Sequence, residues 1–114
     1  MSKLTEQLEL MGCDMEGALN RFLNDDEFYE ECYGDVLVDP AFGKLKEALE
    51  AKDAETAFQC AHTLKGVISN MGLTSLYEII VRLVEPLRAG NAENLMPIYD
   101  ELMQDFERYK ALKE

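Results

Sequence analysis

The chain contains a single histidine, His62, and the residues that follow it suggest what it could do. Imidazole is a competent nucleophile near neutral pH. Lys65 follows three residues later, where its ammonium group could pair with an anion carried on the ring. Gly66 follows four residues later, which on a helix is the position whose side chain would otherwise crowd the imidazole. Together these residues could accommodate a phosphoryl group on His62.

The helix predicted around His62 places the histidine at the flank of an apolar face. With about 100° per residue, its apolar positions fill a sector of roughly 140°, and His62 falls roughly 40° outside that sector. A lone histidine at such a place is more often a surface or packing residue than a reactive one. Glycine in the middle of a helix is unfavourable by about 1 kcal/mol relative to alanine, so Gly66 needs a reason. Close packing against another helix is one explanation, and access of a large group to His62 is the other.

Other kinds of chemical site find little support in the sequence. It contains no GxxxxGK[ST] or GxGxxG nucleotide-binding loop and no HExxH zinc motif, so we do not expect phosphorylation from ATP. Cys60 and His62 are two residues apart and would point about 200° apart on a helix, which excludes a shared metal ion. The cysteines Cys13, Cys32 and Cys60 form no CxxC pair, which favours a reducing compartment. We expect neither a cofactor nor a metal ion in this chain.

The composition bounds the partners that the chain could bind. Its 114 residues suit one domain, and 11 basic against 23 acidic residues give a formal net charge of −12. Nucleic acid and anionic lipid both need a basic surface, so neither is an expected partner. The opening MSKLTEQLEL has no apolar signal core, and no stretch approaches the ~20 apolar residues of a membrane span. The sequence therefore predicts a soluble, cytoplasmic protein that does not bind a membrane.

The elements that must position His62 are helices. Apolar residues recur at helical spacing along almost the whole chain, and no alternating run is long enough for a strand. Three short amphipathic segments fall within about residues 3–38, and four longer helices fall within about residues 40–112. The short connections imply antiparallel neighbours. The sequence therefore predicts an all-α, up-down helical bundle that forms one domain over residues 1–114.

Three capping signals mark where the longer helices begin. Asp39 precedes Pro40, which suits an N-cap followed by proline at the first helical position, where the missing N–H does no harm. Asp53 is expected to cap the helix that carries the histidine, and Asn91 is expected to cap the last helix. The apolar stripes of these helices can all be buried within one chain, so we expect a monomer.

A specific motif surrounds the histidine. The segment H-T-L-K-G at residues 62–66, followed after four residues by M-G at residues 71–72, resembles the histidine-containing phosphotransfer (HPt) family. The alanine before His62, the A-K-D at residues 51–53 and the L-R-A-G-N at residues 87–91 are also similar to that family. The resemblance is sharp from about residue 53 to residue 91, and looser over the remaining helices.

The resemblance implies a fold, a function and roles for some residues. The fold would be an antiparallel four-helix bundle with one or two short N-terminal helices packed over one end. The chain would relay phosphoryl groups in multistep two-component signalling, with receiver domains of response regulators or hybrid histidine kinases as partners. His62 would be the phosphoacceptor, Lys65 the charge beside the phosphoryl group, and Gly66 and Gly72 the family's glycines. Mg²⁺ and most catalytic groups would come from the receiver, so the chain would be a phosphocarrier and not an enzyme.

Further candidate residues surround His62 on the predicted surface. Arg88 stands roughly where some HPt relatives have a basic residue on the helix beside the histidine, although an arginine at a helix C-terminus also suits the helix dipole. Ser69 lies two turns beyond His62 on the same stripe and could line the docking surface. The other candidate receiver contacts are Gln59, Thr63 and Asn70.

Three other functions stay open at this point. A module of the same fold could dock receivers without transferring phosphate. The chain could instead be the phosphoacceptor for a separate chemotaxis-type histidine kinase, which would phosphorylate it where a phosphorylated receiver would not. A purely structural bundle would show no labelling at all.

Overall fold

The computed structural model describes residues 1–112, and within that range it consists of seven α-helices and no strand. The helices are α1 (Lys3–Leu10), α2 (Met15–Arg21), α3 (Asp26–Leu37), α4 (Ala41–Glu50), α5 (Ala54–Met71), α6 (Thr74–Arg88) and α7 (Met96–Ala111). This architecture confirms the predicted all-α fold class. The single domain was predicted to extend to residue 114, and residues 113 and 114 lie outside the described residues.

Helices α4 to α7 form an antiparallel four-helix bundle. Helix α5 packs between α4 and α6, and α7 closes the bundle by packing against both α6 and α4. Each of the four helices contributes a completely buried leucine, namely Leu45, Leu64, Leu83 and Leu102. Full burial of such a side chain is worth about 1.5–3 kcal/mol. The bundle therefore holds α5, the helix with the histidine, by apolar contacts along its inner face.

Three helices cover one end of the bundle, where the resemblance implied one or two. Hydroxyl groups of α3 fasten them there: Tyr29 donates to the carbonyl of Met71 at the end of α5 (2.7 Å), and Tyr33 donates to the carbonyl of Tyr109 near the end of α7 (2.6 Å). Burial raises the pKa of both phenols, so both remain neutral donors. The N-terminal helices thus fix the C-terminal end of α5.

Of the three predicted capping signals, the one at Asp53 acts as expected. The Asp53 carboxylate accepts from the backbone N–H of Thr56 (3.1 Å) at the start of α5. Hydrogen bonding with the Thr56 side chain, and then with its backbone, lowers the pKa of Asp53. The start of the helix that carries His62 is therefore set by its own sequence.

The prediction that Asp39 is the N-cap of α4 is wrong: Pro40 stands at the N-cap, and no side chain among the described residues caps this helix. The Asp39 carboxylate instead accepts from the backbone N–H of Ala41 (2.8 Å), two residues ahead.

The prediction that Asn91 caps the last helix is wrong. The Asn91 side chain accepts from the backbone N–H of Glu93 (2.9 Å) and forms a turn, while α7 begins only at Met96. Pro97 lies in the first turn of α7, where its fixed φ and missing N–H are best tolerated. An Asx turn and a helix N-cap use the same side chain in a similar way, so the capping signal alone did not separate them.

Gly72 ends α5 in a conformation that alanine would not tolerate. Its φ is +74°, and an added Cβ would lie 2.5 Å from the carbonyl oxygen of Asp14 and 3.0 Å from the Cβ of Ala18. We expect Gly72→Ala to lower the free energy of unfolding by about 3 kcal/mol, from left-handed strain plus overpacking. Urea unfolding followed by circular dichroism measures this.

Gly90 provides the matched control for that substitution. Its φ is +83°, but an added Cβ would meet nothing within 4 Å. Gly90→Ala therefore carries only the left-handed strain, and its cost should be about 1 kcal/mol. Equal losses in the two variants would contradict a packing role for Gly72.

Candidate functional site

Helix α5 presents the predicted site residues to solvent in a fixed order. His62 is exposed between the buried Ala61 and Leu64, Lys65 is half-buried, and Gly66 is exposed. This order follows from the helical period, because the buried pair faces the core and the other positions turn away from it. The structure therefore places His62, Lys65 and Gly66 within a little more than one turn of one helix.

Within the described part of the chain, the polar groups of His62 and Lys65 have no protein partner. Among residues 1–112, the His62 imidazole makes no hydrogen bond, and the Lys65 ammonium group makes neither a hydrogen bond nor an ion pair. An exposed imidazole with unengaged nitrogens can present a lone pair to an incoming group. A half-buried lysine lays its methylene stem along the helix and keeps its charged end in water. Both groups are therefore available to an external partner.

Gly66 has open space where a side chain would be. A Cβ added there would meet no atom of another helix, and no atom of the His62 ring, within 4 Å. Close packing between helices therefore does not explain this glycine within the described part of the chain. The remaining explanation from the sequence is access to His62.

Phe58 also belongs to the site, although it is not among the predicted site residues. The structure shows it half-buried and stacked on His62, with ring centroids 5.6 Å apart and planes inclined by 17°. Phe58 precedes His62 by four residues, and helical side chains lean toward the N-terminus, so that His62 lies over the turn containing Phe58. This spacing was the signal that could have identified the contact.

Arg88, the last residue of α6, reaches the same cluster from the neighbouring helix. Its guanidinium carbon lies 5.5 Å from the centroid of the Phe58 ring, within the range of a cation–π interaction. The Nε atom of Arg88 also lies 3.9 Å from the Glu85 carboxylate, but both side chains are more than half exposed, so this ion pair contributes little. The structure thus brings Arg88 to the ring that supports His62.

The remaining predicted contact residues lie exposed along α5. Ser69 and Asn70 stand near its C-terminus, and their carbonyl groups accept hydrogen bonds from Arg21 of α2 (3.0 and 3.1 Å). Arg21 was not identified from the sequence, because nearly 50 residues separate it from these carbonyls and no local pattern links them. A cation at this helix end also complements the helix dipole. The other two predicted contacts, Gln59 and Thr63, are exposed on the outer side of α5.

No metal site and no membrane span were found among the described residues. Within residues 1–112, no group of three or more His, Cys, Asp or Glu side chains is arranged to hold a metal ion. None of the helices in that range combines the length and the apolar character that crossing a bilayer requires.

Comparison with known proteins identifies one family. The family model described as "Hpt domain" matches residues 38–112. The match begins just before α4 and contains the whole bundle, including the exposed histidine, while α1 to α3 lie outside it. No curated protein and no solved structure matches the chain.

Proposed function

Because the chain belongs to the Hpt domain family, we propose that it relays phosphoryl groups between receiver-domain aspartates and His62. Membership of this family indicates histidine phosphotransfer in two-component signalling. The observation that carries the finer proposal is the environment of His62: the imidazole is exposed, its nitrogens make no hydrogen bond within residues 1–112, and Gly66 leaves the space beside it open.

The proposed transfer exchanges one phosphorus bond for another. A lone pair of the His62 imidazole attacks the phosphorus of a receiver's aspartyl phosphate, so that a P–N bond forms as the P–O bond to the aspartate breaks. The aspartate leaves as a carboxylate, and the phosphorylated ring carries the positive charge until it loses its N–H proton. The reverse reaction passes the phosphoryl group to another aspartate. Both adducts are high-energy bonds, so positioning and charge neutralisation govern the rate.

The chain itself supplies the nucleophile and positive charge. Lys65 stands one turn from His62 with no partner among residues 1–112, and Arg88 adds a second positive charge at the Phe58 ring. We propose that the receiver contributes Mg²⁺ and the groups that activate the phosphoryl group, so that this chain acts as a phosphocarrier. The exposed Gln59, Thr63, Ser69 and Asn70 would lie under the docked receiver.

The proposed setting is a monomer in the cytoplasm. The apolar stripes of α4 to α7 are buried within one chain, so a partner copy is not needed to complete the core. Receiver domains of response regulators or of hybrid histidine kinases would be the partners.

We test the proposal with purified phosphorylated receiver domains, mixed one by one with the protein. The expected result is transfer of label to the protein, in a linkage that acid hydrolyses and base does not. Labelling by a kinase catalytic domain but by no receiver would favour a phosphoacceptor for a chemotaxis-type kinase. Receiver binding without labelling would favour a docking module, and the absence of both would favour a structural bundle.

Replacing Lys65 with alanine should slow transfer from a phosphorylated receiver by about tenfold, because the phosphoryl oxygens lose a charge-assisted partner. Single-turnover transfer measured by rapid quench provides the rate. The control is Lys52→Ala, because Lys52 is an exposed lysine that pairs with Glu93 (3.1 Å) at the turn before α5. Unchanged transfer in Lys65→Ala, or an equal loss in Lys52→Ala, would remove Lys65 from the mechanism.

A further inference from the structure

The orientation of the His62 ring is not set by hydrogen bonds. Among the described residues, neither imidazole nitrogen makes a hydrogen bond. Ring orientation in a reactive histidine is commonly fixed by a hydrogen bond to the nitrogen that does not react. Here another contact must do so, or the ring would sample several rotamers.

Phe58 provides such a contact on one side of the imidazole only. The two rings are nearly parallel, at 17°, and their centroids are 5.6 Å apart, which describes an offset stack. An offset stack covers part of a ring face and leaves the ring edge, with both nitrogens, free. On the other side, one turn further along α5, Gly66 carries no side chain. Phe58 therefore covers the imidazole on the side toward the N-terminus of α5, and the side toward the C-terminus is open.

Phe58 is itself held from two directions. Its half-buried side chain packs against the bundle core, and the Arg88 guanidinium from α6 lies 5.5 Å from its ring centroid. A support anchored on two helices keeps its position better than a side chain held by one. The stack therefore transmits the rigidity of the α5–α6 pair to the histidine ring.

We propose that Phe58 is a positioning residue for phosphotransfer: its ring holds the His62 imidazole in the rotamer that faces the opening above Gly66. This inference deepens the proposed function and rests on it for its biological meaning. The contact itself can be tested without any receiver, because the phosphoramidate ion phosphorylates histidine directly. In that reaction the imidazole nitrogen forms a new P–N bond, while the P–N bond of phosphoramidate breaks and releases ammonia.

The test compares Phe58→Leu with Phe58→Tyr. Leucine keeps an apolar side chain against the core but removes the ring, while tyrosine keeps the ring. The control is Phe22→Leu, the same substitution at another half-buried phenylalanine, whose ring contacts Phe28 and Tyr29 and not His62. Because His62 is the only histidine, its ring proton resonances report on the stack without ambiguity.

Phe58→Leu should shift the His62 ring protons, through loss of the ring current, and slow phosphoramidate labelling by about fivefold. Phe58→Tyr should keep the wild-type shifts and rate, as should Phe22→Leu. Wild-type labelling in Phe58→Leu, unchanged ring shifts, or a Phe58→Tyr variant as slow as Phe58→Leu would each overturn the proposal. Labelling by phosphoramidate with the expected dependence on Phe58, but no transfer from any receiver, would refute the proposed relay and leave the positioning role standing.

Discussion

His62→Gln should abolish incorporation of acid-labile phosphate from every phosphorylated receiver and from phosphoramidate. Glutamine keeps polarity and helix propensity but has no nucleophilic lone pair at the position of an imidazole nitrogen. The chain holds no second histidine that could take over the reaction. Radiolabelled transfer followed by acid and base treatment measures the loss, which should exceed that of any other single substitution.

The stability of the His62→Gln variant and its binding to the receiver provide the controls for that experiment. The His62 side chain is exposed and its imidazole makes no hydrogen bond among residues 1–112, so we expect the substitution to remove only the stack on Phe58 and to lower the free energy of unfolding by about 1 kcal/mol at most. Receiver binding, measured by calorimetry, should also persist, because the docking surface around the histidine is unchanged. A His62→Gln variant that labels as well as wild type would contradict the assignment of the phosphoacceptor.

Much of the fold was predictable because helical periodicity is a local property. Buried residues at helical spacing identify each of the four bundle helices, and Asp53 starts α5 through a hydrogen bond within three residues. The error at Asn91 has the same origin. Its side chain satisfies a backbone N–H two residues ahead, and only the position of Pro97 shows that the helix begins later.

Spacing along the sequence predicts the candidate site only where it lies on one helix, and Arg88 on α6 was a candidate through the family resemblance alone. His62, Lys65 and Gly66 share α5, so their spacing already places them together. Arg88 and Arg21 come from other helices, and their contacts with Phe58 and with the end of α5 depend on how those helices pack. The packing also excludes one of the two explanations of Gly66, close contact with another helix, among the described residues, because open space is visible only when the neighbouring helices are in place.

Substitutions at Gly66 should separate stability from transfer. Since an added Cβ meets nothing within 4 Å, Gly66→Ala should raise the free energy of unfolding by about 1 kcal/mol, as alanine is the better helix former. The same substitution should slow transfer from a receiver, because the new methyl group stands in the opening beside the imidazole. Gly66→Leu should slow transfer by about 100-fold, the loss expected when reacting groups are displaced by ~1 Å.

Gly34 is the matched control, because it also lies inside a helix, α3, and an added Cβ there also meets nothing within 4 Å. Gly34→Ala should stabilise the protein by the same ~1 kcal/mol and leave transfer unchanged. Urea unfolding gives the stability, and single-turnover kinetics give the transfer rate, of Gly66→Ala, Gly66→Leu and Gly34→Ala. If Gly66→Leu transferred at the wild-type rate, access to His62 would not be the reason for this glycine. A slower Gly66→Ala that is also more stable would show that the helix gives up stability at this position to keep the histidine reachable.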